Sequence, residues 1–556
     1  PRVTMQPRPC FAVAAGGPRP QGAHLAAPPS AAAPAPVLAR GAGFGHTRPD
    51  GMLPMAAGAA CGLTLAITRR RAYGGGGGGF NPAAAEAKSR REVDMFFQYQ
   101  RSMIRRGNKI VRDDMYWAKE ERAVFKTAHV KAGINFAKYE DIPVETIGGT
   151  GNEQPMESFQ DACEKFDIPE GLAASIERCG YDVPTPVQKY AIPAVAAGAD
   201  VMVTAQTGSG KTAAFLIPII ATALREGPVE LKEGPVPVTS IVMAPTRELC
   251  QQIADEARRL VFKTDAKVVA IYGGAPAQPQ LRQLAEGPEI VIATPGRLVD
   301  FLKRGVISVE NVKFLALDEA DRMLDMGFEP QIREIIEDFG MPEPGEGGRQ
   351  TIMFSATFPE DMQNMALDFL DPVYMQINVG RVGVAAADVE QRFEDIGWGD
   401  KFEKLIPTLE SVTGTDGEPK TIVFANMKAT VDNIVYHINR HSNFRAIGIH
   451  GDKRQEDRNR AIDEIKRGRS QVLVATEVAA RGLDLPGIDH VINFDLPTGG
   501  DDYVHRIGRT GRIGNKGVAT SFVSNQEPGL SGIVDALRDC TGAEVPRWLE
   551  DRAFSR

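Results

Sequence analysis

"VMVTAQTGSGKTAAFLIP", residues 201–218, runs from a β-branched apolar stretch through a glycine-rich turn into a helix-permissive segment. That order of strand, loop and helix reads as a phosphate cradle. Gly208 and Gly210 let the backbone approach an anion closely, and the amides of the loop and of the helix start point at it. The loop comprises Ala205, Thr207, Gly208, Ser209, Gly210, Lys211 and Thr212. In such a loop the lysine, Lys211, reaches the outer phosphates and the hydroxyl of Thr212 helps to hold Mg2+.

A nucleotide loop needs an acidic partner, and "VKFLALDEADRMLDMG", residues 312–327, supplies one. An apolar strand ends there in Asp318, Glu319 and Asp321. An aspartate at the end of a neighbouring strand is the second holder of Mg2+ in such sites, and an adjacent acid can orient or deprotonate the attacking water. Asp318 therefore takes the metal side and Glu319 the water, while Asp321 need not touch the metal. Further on, "YVHRIGRTGR" at 503–512 places Arg509 and Arg512 three apart, able to offer two guanidinium forks to one γ-phosphate.

Around these motifs the texture is that of doubly wound α/β domains. The runs "DVMVTA", "TSIVMAP", "KVVAIYGG", "EIVIATP", "KFLALDEAD" and "TIMFSAT" alternate with charged helical segments, as parallel strands buried on both faces do. After "VGRVGVAAA", residues 379–387, the pattern restarts with "TIVFAN", "RAIGIHG", "QVLVATE", "HVINFDL" and "VATSFVS". Two consecutive domains follow, at 157–378 and 389–549, with a linker at 379–388 and a tail at 550–556.

The chain of 556 residues is long enough for roughly two to four domains with full cores. Its formal charge of −8 hides an asymmetry: residues 1–90 carry +8 and the remainder −16. An acidic body argues against non-specific nucleic-acid binding by the whole surface, but not against a local groove. Six scattered cysteines without metal-like spacing imply free thiols rather than disulfides or zinc.

Residues 1–83, rich in Ala, Pro, Gly and Arg, read as a disordered extension; their Arg-rich, acid-poor composition is also that of an organelle transit peptide. The uncharged stretch Met52 to Thr68 is a poor membrane span because it is short and contains Pro54 and two glycines. Residues 84–156 read as a charged, partly helical extension facing solvent.

With all these motifs in place, the sequence resembles a DEAD-box RNA helicase of superfamily 2 over roughly residues 134–549, about three quarters of the chain. The motifs occur in order: "YDVPTPVQ", "AQTGSGKT", "PTREL", "GG", "TPGR", "DEAD", "SAT", "VFAN", "QEDR", "ATEVAARGLD" and "HRIGRTGR". "YEDIPVE", "PTPVQKYAIP", "DMGFEPQIR", "VGRVG" and "EVPRWLE" resemble the Vasa/Belle-like branch in particular.

The resemblance implies two tandem RecA-like domains and ATP with Mg2+ as cofactors. Gln188 would read the adenine edge, with an upstream aromatic stacking on the base; Phe159 and Phe166 are the candidates, and "ESF" favours Phe159. Asp484 would contact the ribose or the closed nucleotide site. Ser355 and Thr357 would link Asp321 to the second domain, where His505 is its partner. RNA would be held by Arg247, Gly274, Thr294, Gly296 and Arg297 in the first domain and by Gln455, Arg458 and Thr476 in the second. These residue types suit sugar and phosphate rather than base edges, so binding of a single strand or short duplex should be sequence-independent.

The resemblance further implies local unwinding of short duplexes driven by ATP hydrolysis. The alternatives are an RNA clamp that scarcely unwinds and, from another direction, a helicase acting on DNA. It implies a monomeric core, translation or messenger-particle factors as protein partners, no membrane partner, and a cytoplasmic or nuclear location unless the leader directs organellar import. Glu477 and Ile465 depart from residues common at their positions, Asp and Phe.

Overall fold

In the computed structural model the described residues run from 82 to 555, leaving out 108–112, 126–141, 150, 152–153, 207, 346, 381–388, 413–418, 481–482, 484, 486, 512–515 and 540–544. Residues 1–81 of the expected disordered extension, the Met52–Thr68 stretch among them, and most of the linker lie outside them, while residues 82 and 83 begin a helix. No helix among the described residues is long and apolar enough to cross a membrane.

Two sheets organise the chain. The first has eight strands in the order Val144–Gly148, Met375–Val379, Val201–Ala205, Gln350–Ser355, Phe314–Leu317, Ser240–Met243, Ile290–Ala293 and Val268–Ile271. All its pairings are parallel except that of the edge strand Val144–Gly148. The second has six parallel strands in the order Val389–Gly397, Gly517–Ser524, His490–Asn493, Thr421–Phe424, Val472–Ala475 and Ala446–Ile449. These are two tandem RecA-like α/β domains.

The strand pleat explains why the apolar runs are unbroken. Val201, Val203, Ala205, Ile352 and Phe354 enter one core, while their neighbours Met202, Met353, Leu315 and Leu317 enter the other. Because successive side chains point to opposite faces and helices cover both, apolar residues occupy consecutive positions along these strands instead of alternating with polar ones. The second sheet repeats this with Ile422, Phe424 and Leu473 on one face and Val423, Val472 and Val474 on the other. Fully buried Phe215 and Phe354 meet at 5.3 Å, a contact whose truncation to alanine costs about 3–5 kcal/mol. Ile465, one of the departures, is buried in the second core.

Two elements differ from the expectation. Val144–Gly148 joins the first sheet although the domain was placed from 157; it is an exposed edge strand, so its side chains carry no buried pattern. The segment 84–156 is also not simply solvated. Helix Pro82–Arg105 buries Phe96, Gln100 and Met103, spaced four and three apart on one face, against the first domain. Helix Asp114–Val124 starts at Asp113, whose carboxylate accepts from Tyr116 N. Trp117 and Phe125 then pack edge-on against Phe262 at 5.5 and 5.4 Å. Few apolar residues, correctly spaced, suffice for this docking.

Parallel strands bring their carboxyl ends to one side of the sheet, the side on which ligands bind in this architecture. The strand ends at Ala205, Leu317, Ser355, Met243 and Ala293 therefore deliver the phosphate loop, the acids, the "SAT" turn, "PTREL" and "TPGR" to a single face.

Candidate functional site

The buried strand Val201–Ala205 leads through the loop to helix Lys211–Glu226, and the turn rests on left-handed glycines, Gly208 at φ 82° and Gly210 at φ 86°. A Cβ on Gly210 would lie 2.6 Å from Gln188 Nε2, so this close approach requires glycine. Gln188 is buried in a capping box with Thr185: its Oε1 accepts from Thr185 N at 2.9 Å, and its Nε2 donates to Gly210 O at 3.2 Å. Thr185 Oγ1 donates to Ser209 O at 2.8 Å, and Ser209 Oγ donates to Gln206 O. The adenine-reading candidate is thus mechanically joined to the phosphate loop. Lys211 Nζ, buried, donates to Ala205 O at 2.9 Å, and Thr212 is half-buried beside it. Thr207 lies outside the described residues.

Of the two aromatic candidates, Phe159 is buried in the core and pairs with Tyr181 at 5.7 Å. Phe166 is half-buried under the Lys165 ammonium. Tyr181, seven residues before Gln188, is a half-buried ring that sequence reading passed over; its hydroxyl donates to Glu256.

Two strands away, all three acids are buried. Burial pushes the Asp318 carboxyl up to about 7, against the pull of Lys211. Glu319 sits at φ +52°, one of three non-glycine residues with positive φ among those described, a strained geometry that clusters at functional sites. Burial raises its pKa, but Arg322, Arg509 and Lys211 together outweigh that and hold it below the ordinary value. The donors here are hard oxygens, Asp318 and the Thr212 hydroxyl, which suit a small divalent cation that keeps water and phosphate in its remaining positions.

Asp321 serves a different set of partners. Its Oδ2 accepts from Ala356 N at 3.0 Å and from Thr357 N and Oγ1, both at 3.1 Å; its Oδ1 accepts from Arg322 N. Ser355 Oγ donates to Thr357 O at 2.6 Å, closing the turn. From the second domain, His505 Nε2 stands 3.7 Å from the same Oδ2. Burial depresses His505 to about 4 although Asp321 opposes it, so the imidazole is neutral at pH 7. Arg509, also buried, donates to Leu483 O at 3.2 Å. Arg512 and Asp484 lie outside the described residues.

Arg322 was not foreseen. It is 2% exposed, its Nη1 donates to Glu319 Oε2 at 3.3 Å, and its Nε and Nη2 have no hydrogen-bond partner among the described residues. The available signal was a cation three residues after Glu319 on the following helical turn.

The residues expected to hold RNA fall into two groups. Thr294 Oγ1 accepts from Gly273 N at 3.3 Å, Gly296 is exposed, and Arg297 donates to Ala275 O at 3.1 Å and Gln280 Oε1 at 3.2 Å. Gly274, at φ 71°, leaves room only for the Arg247 guanidinium beside it. Across the domains, Arg247 Nη1 donates to Gln455 Oε1 at 2.6 Å. Gln455 Nε2 donates to Glu248 Oε1 at 3.2 Å, and Arg458 pairs with the same oxygen at 2.8 Å. Arg247 is thus engaged with Gln455, and Glu248, inside "PTREL" but unremarked, is the common acceptor of Gln455 and Arg458. Thr476 is half-buried at the head of a short turn. The neighbouring departure Glu477 pairs with buried Arg506 at 2.6 Å, and Arg506 also donates to Asn426 Oδ1.

Comparison with known proteins matches residues 185–365 to the DEAD/DEAH box helicase family and 400–514 to the helicase conserved C-terminal domain. The yeast DEAD-box splicing factor Prp28 is 31% identical over 80% of this chain and 96% of that one, with a TM-score of 0.41. S. cerevisiae Dbp5 bound to RNA and ADP BeF3 is 25% identical over 70% of this chain and 99% of that one, with a TM-score of 0.57. A Dbp5 variant bound to Gle1 and IP6 is 26% identical over 72% and 98%, with a TM-score of 0.54.

Proposed function

Because the chain belongs to the DEAD/DEAH box helicase family and is an ATP-dependent RNA helicase, we propose that it opens short RNA duplexes locally, in a cycle where closure of its two domains licenses hydrolysis. The observation that carries this reading is the convergence on Asp321 of the first domain's "SAT" turn and the second domain's His505. One carboxylate senses both.

Lys211 and the loop amides bind the phosphates, and Gln188, braced on Gly210, reads the base. Asp318 and the Thr212 hydroxyl would hold Mg2+, which would supply charge neutralisation. Glu319 orients the attacking water and accepts its proton, while Arg322 fixes the Glu319 carboxylate. Arg509 and Arg512 bring positive charge to the transferring phosphoryl group when the domains close, which makes turnover conditional on closure. Arg297, Thr294, Gly296, Gly274 and Thr476 contact the RNA backbone, so recognition is independent of sequence. Arg247, Gln455 and Arg458 contribute by joining the domains around the strand.

Dbp5 has been seen bound to RNA and ADP BeF3, and a Dbp5 variant bound to Gle1; this supports RNA as the partner here, and protein regulators such as translation or messenger-particle factors. Branch-like strings such as "PTPVQKYAIP" favour Vasa/Belle-like relatives, and we assign the protein to cytoplasm or nucleus unless residues 1–83 direct organellar import, which a reporter fusion would reveal.

The test is ATP turnover with and without RNA, alongside release of a strand from a short duplex. Turnover that ignores RNA contradicts the reading. A long-lived complex without strand release identifies a clamp instead, and equal stimulation by DNA identifies a DNA-directed enzyme.

A further inference from the structure

Helix Pro82–Arg105 lies outside both family matches, yet it is built into the first domain. Gln100, fully buried, makes a reciprocal pair with the backbone of Gly234: its Nε2 donates to Gly234 O at 2.9 Å, and Gly234 N donates to its Oε1 at 3.2 Å. Phe96 enters the same core as Leu281, Phe301 and Ile307. A buried amide satisfied at both ends fixes register in a way apolar packing alone does not.

From this helix a chain of alternating charges leads inward. Glu92, buried, pairs with Arg304 at 2.8 Å; Arg304 Nε donates to Asp300 Oδ1 at 2.8 Å; and Asp300 Oδ2 stands 3.7 Å from Arg297 Nε. Both guanidiniums lie over the Phe301 ring, at 5.2 Å for Arg297 and 5.9 Å for Arg304. The far side of Arg297 holds Ala275 O and Gln280 Oε1, and the same Gln280 oxygen accepts from Tyr272 N. The turns 272–275 and 294–297 are therefore oriented by a network whose outer end is Glu92. A substrate-positioning group is only as accurate as the shell that supports it.

We propose that helix 82–105 is a brace of the RNA-binding face, setting RNA affinity through Glu92, Arg304, Asp300 and Arg297 without itself touching RNA or nucleotide. This rests on the reading of those two turns as RNA contacts. Glu92 is a positioning residue.

The test uses the full chain with Glu92→Gln, Arg304→Gln and the double variant, titrated with a single-stranded poly(U) RNA in an ATPase assay and, in parallel, by fluorescence anisotropy. The RNA concentration at half-stimulation should rise about three- to tenfold in each single variant, the span expected for a coupling network. The double variant should be no worse than the worse single one. Turnover without RNA and at saturating RNA should stay as in the unmutated chain, and the melting temperature should confirm a folded protein. If Glu92→Gln does not fold, Glu92→Asp, which keeps the charge but shortens its reach, makes the same comparison. Unchanged half-stimulation in a chain that RNA does stimulate overturns the brace alone, as do effects that simply multiply. An unmutated chain that RNA neither stimulates nor binds overturns the RNA reading and the brace with it.

Discussion

Asp321 Oδ2 and His505 Nε2 lie 3.7 Å apart, joining the short helix Ala320–Asp325 of the first domain to the helix Gly500–Ile507 of the second. The same oxygen already accepts from Thr357 and Ala356, so the position of His505 is coupled to the turn that follows the strand Gln350–Ser355. With its pKa depressed to about 4, the imidazole meets this carboxylate as a neutral ring. A neutral contact can form and break with each cycle without the desolvation cost of a buried ion pair.

Replacing Glu319 with Gln keeps the shape and the Arg322 contact but removes the proton acceptor. Turnover should fall by about two to three orders of magnitude, the scale of a lost general base, with ATP binding retained. Single-turnover hydrolysis alongside nucleotide-binding titration checks this; a variant with full turnover would remove Glu319 from its role.

Arg322 tests how much orientation of that acid matters. Arg322→Met should lower saturated turnover about ten- to a hundredfold, the scale of one charge-assisted hydrogen bond, and change the KM for ATP by less than about twofold. Arg322→Lys should recover part of the loss. A rise in KM with turnover kept would show instead that Arg322 serves binding.

Glu248 accepts from both Gln455 and Arg458 of the other domain, and the Glu248–Arg458 pair is buried. Breaking one partner of a buried pair costs about 3–5 kcal/mol, here charged to the closed arrangement. Glu248→Gln should therefore weaken RNA binding in the presence of a non-hydrolysable ATP analogue by at least about tenfold, as measured by anisotropy. ATP affinity without RNA should be unaffected.

Stability should also report His490, fully buried between its strand neighbours and bonded through Nε2 to Thr520 Oγ1 at 2.8 Å. Burial, aided by Arg392 and opposed by Asp489, depresses its pKa from 6.5 to about 4. The unfolded chain then binds the extra proton between pH 6.5 and 4, so this group's contribution is intact above 6.5 and is lost as pH falls through that window, to a limit of about 3 kcal/mol. Asp200, raised to about 6, acts with the opposite sign over pH 3.8 to 6. The measurement is accordingly a difference: melting temperature against pH for the unmutated chain and for His490→Gln, with the shallower acid slope expected in the variant.

Much of this was legible from residues 201–218 and 312–327 because chemistry and strand-loop-helix context coincide there. Val423, Val474 and Ile492 belong to runs that can be nothing but doubly covered strands, so the second domain was legible too. The edge strand Val144–Gly148 was not, since exposure on both faces erases its pattern. Gln100 was invisible for a related reason: a polar residue on a charged helix gives no sign that a backbone 134 positions away will satisfy it. Glu248 needed partners 207 and 210 residues distant, which only the assembled sheets bring together. Phe159 shows the remaining ambiguity, because a ring destined for the core and a ring destined for a base have the same sequence signature.

The central claim, that Asp321 and His505 couple domain arrival to hydrolysis, is tested most directly by a double-mutant cycle on RNA-stimulated ATP turnover with Asp321→Asn, His505→Ala and the pair. The account predicts that the double variant is no slower than the slower single variant, a coupling of at least about 1 kcal/mol for groups in contact. Single effects that multiply in the double variant would contradict it.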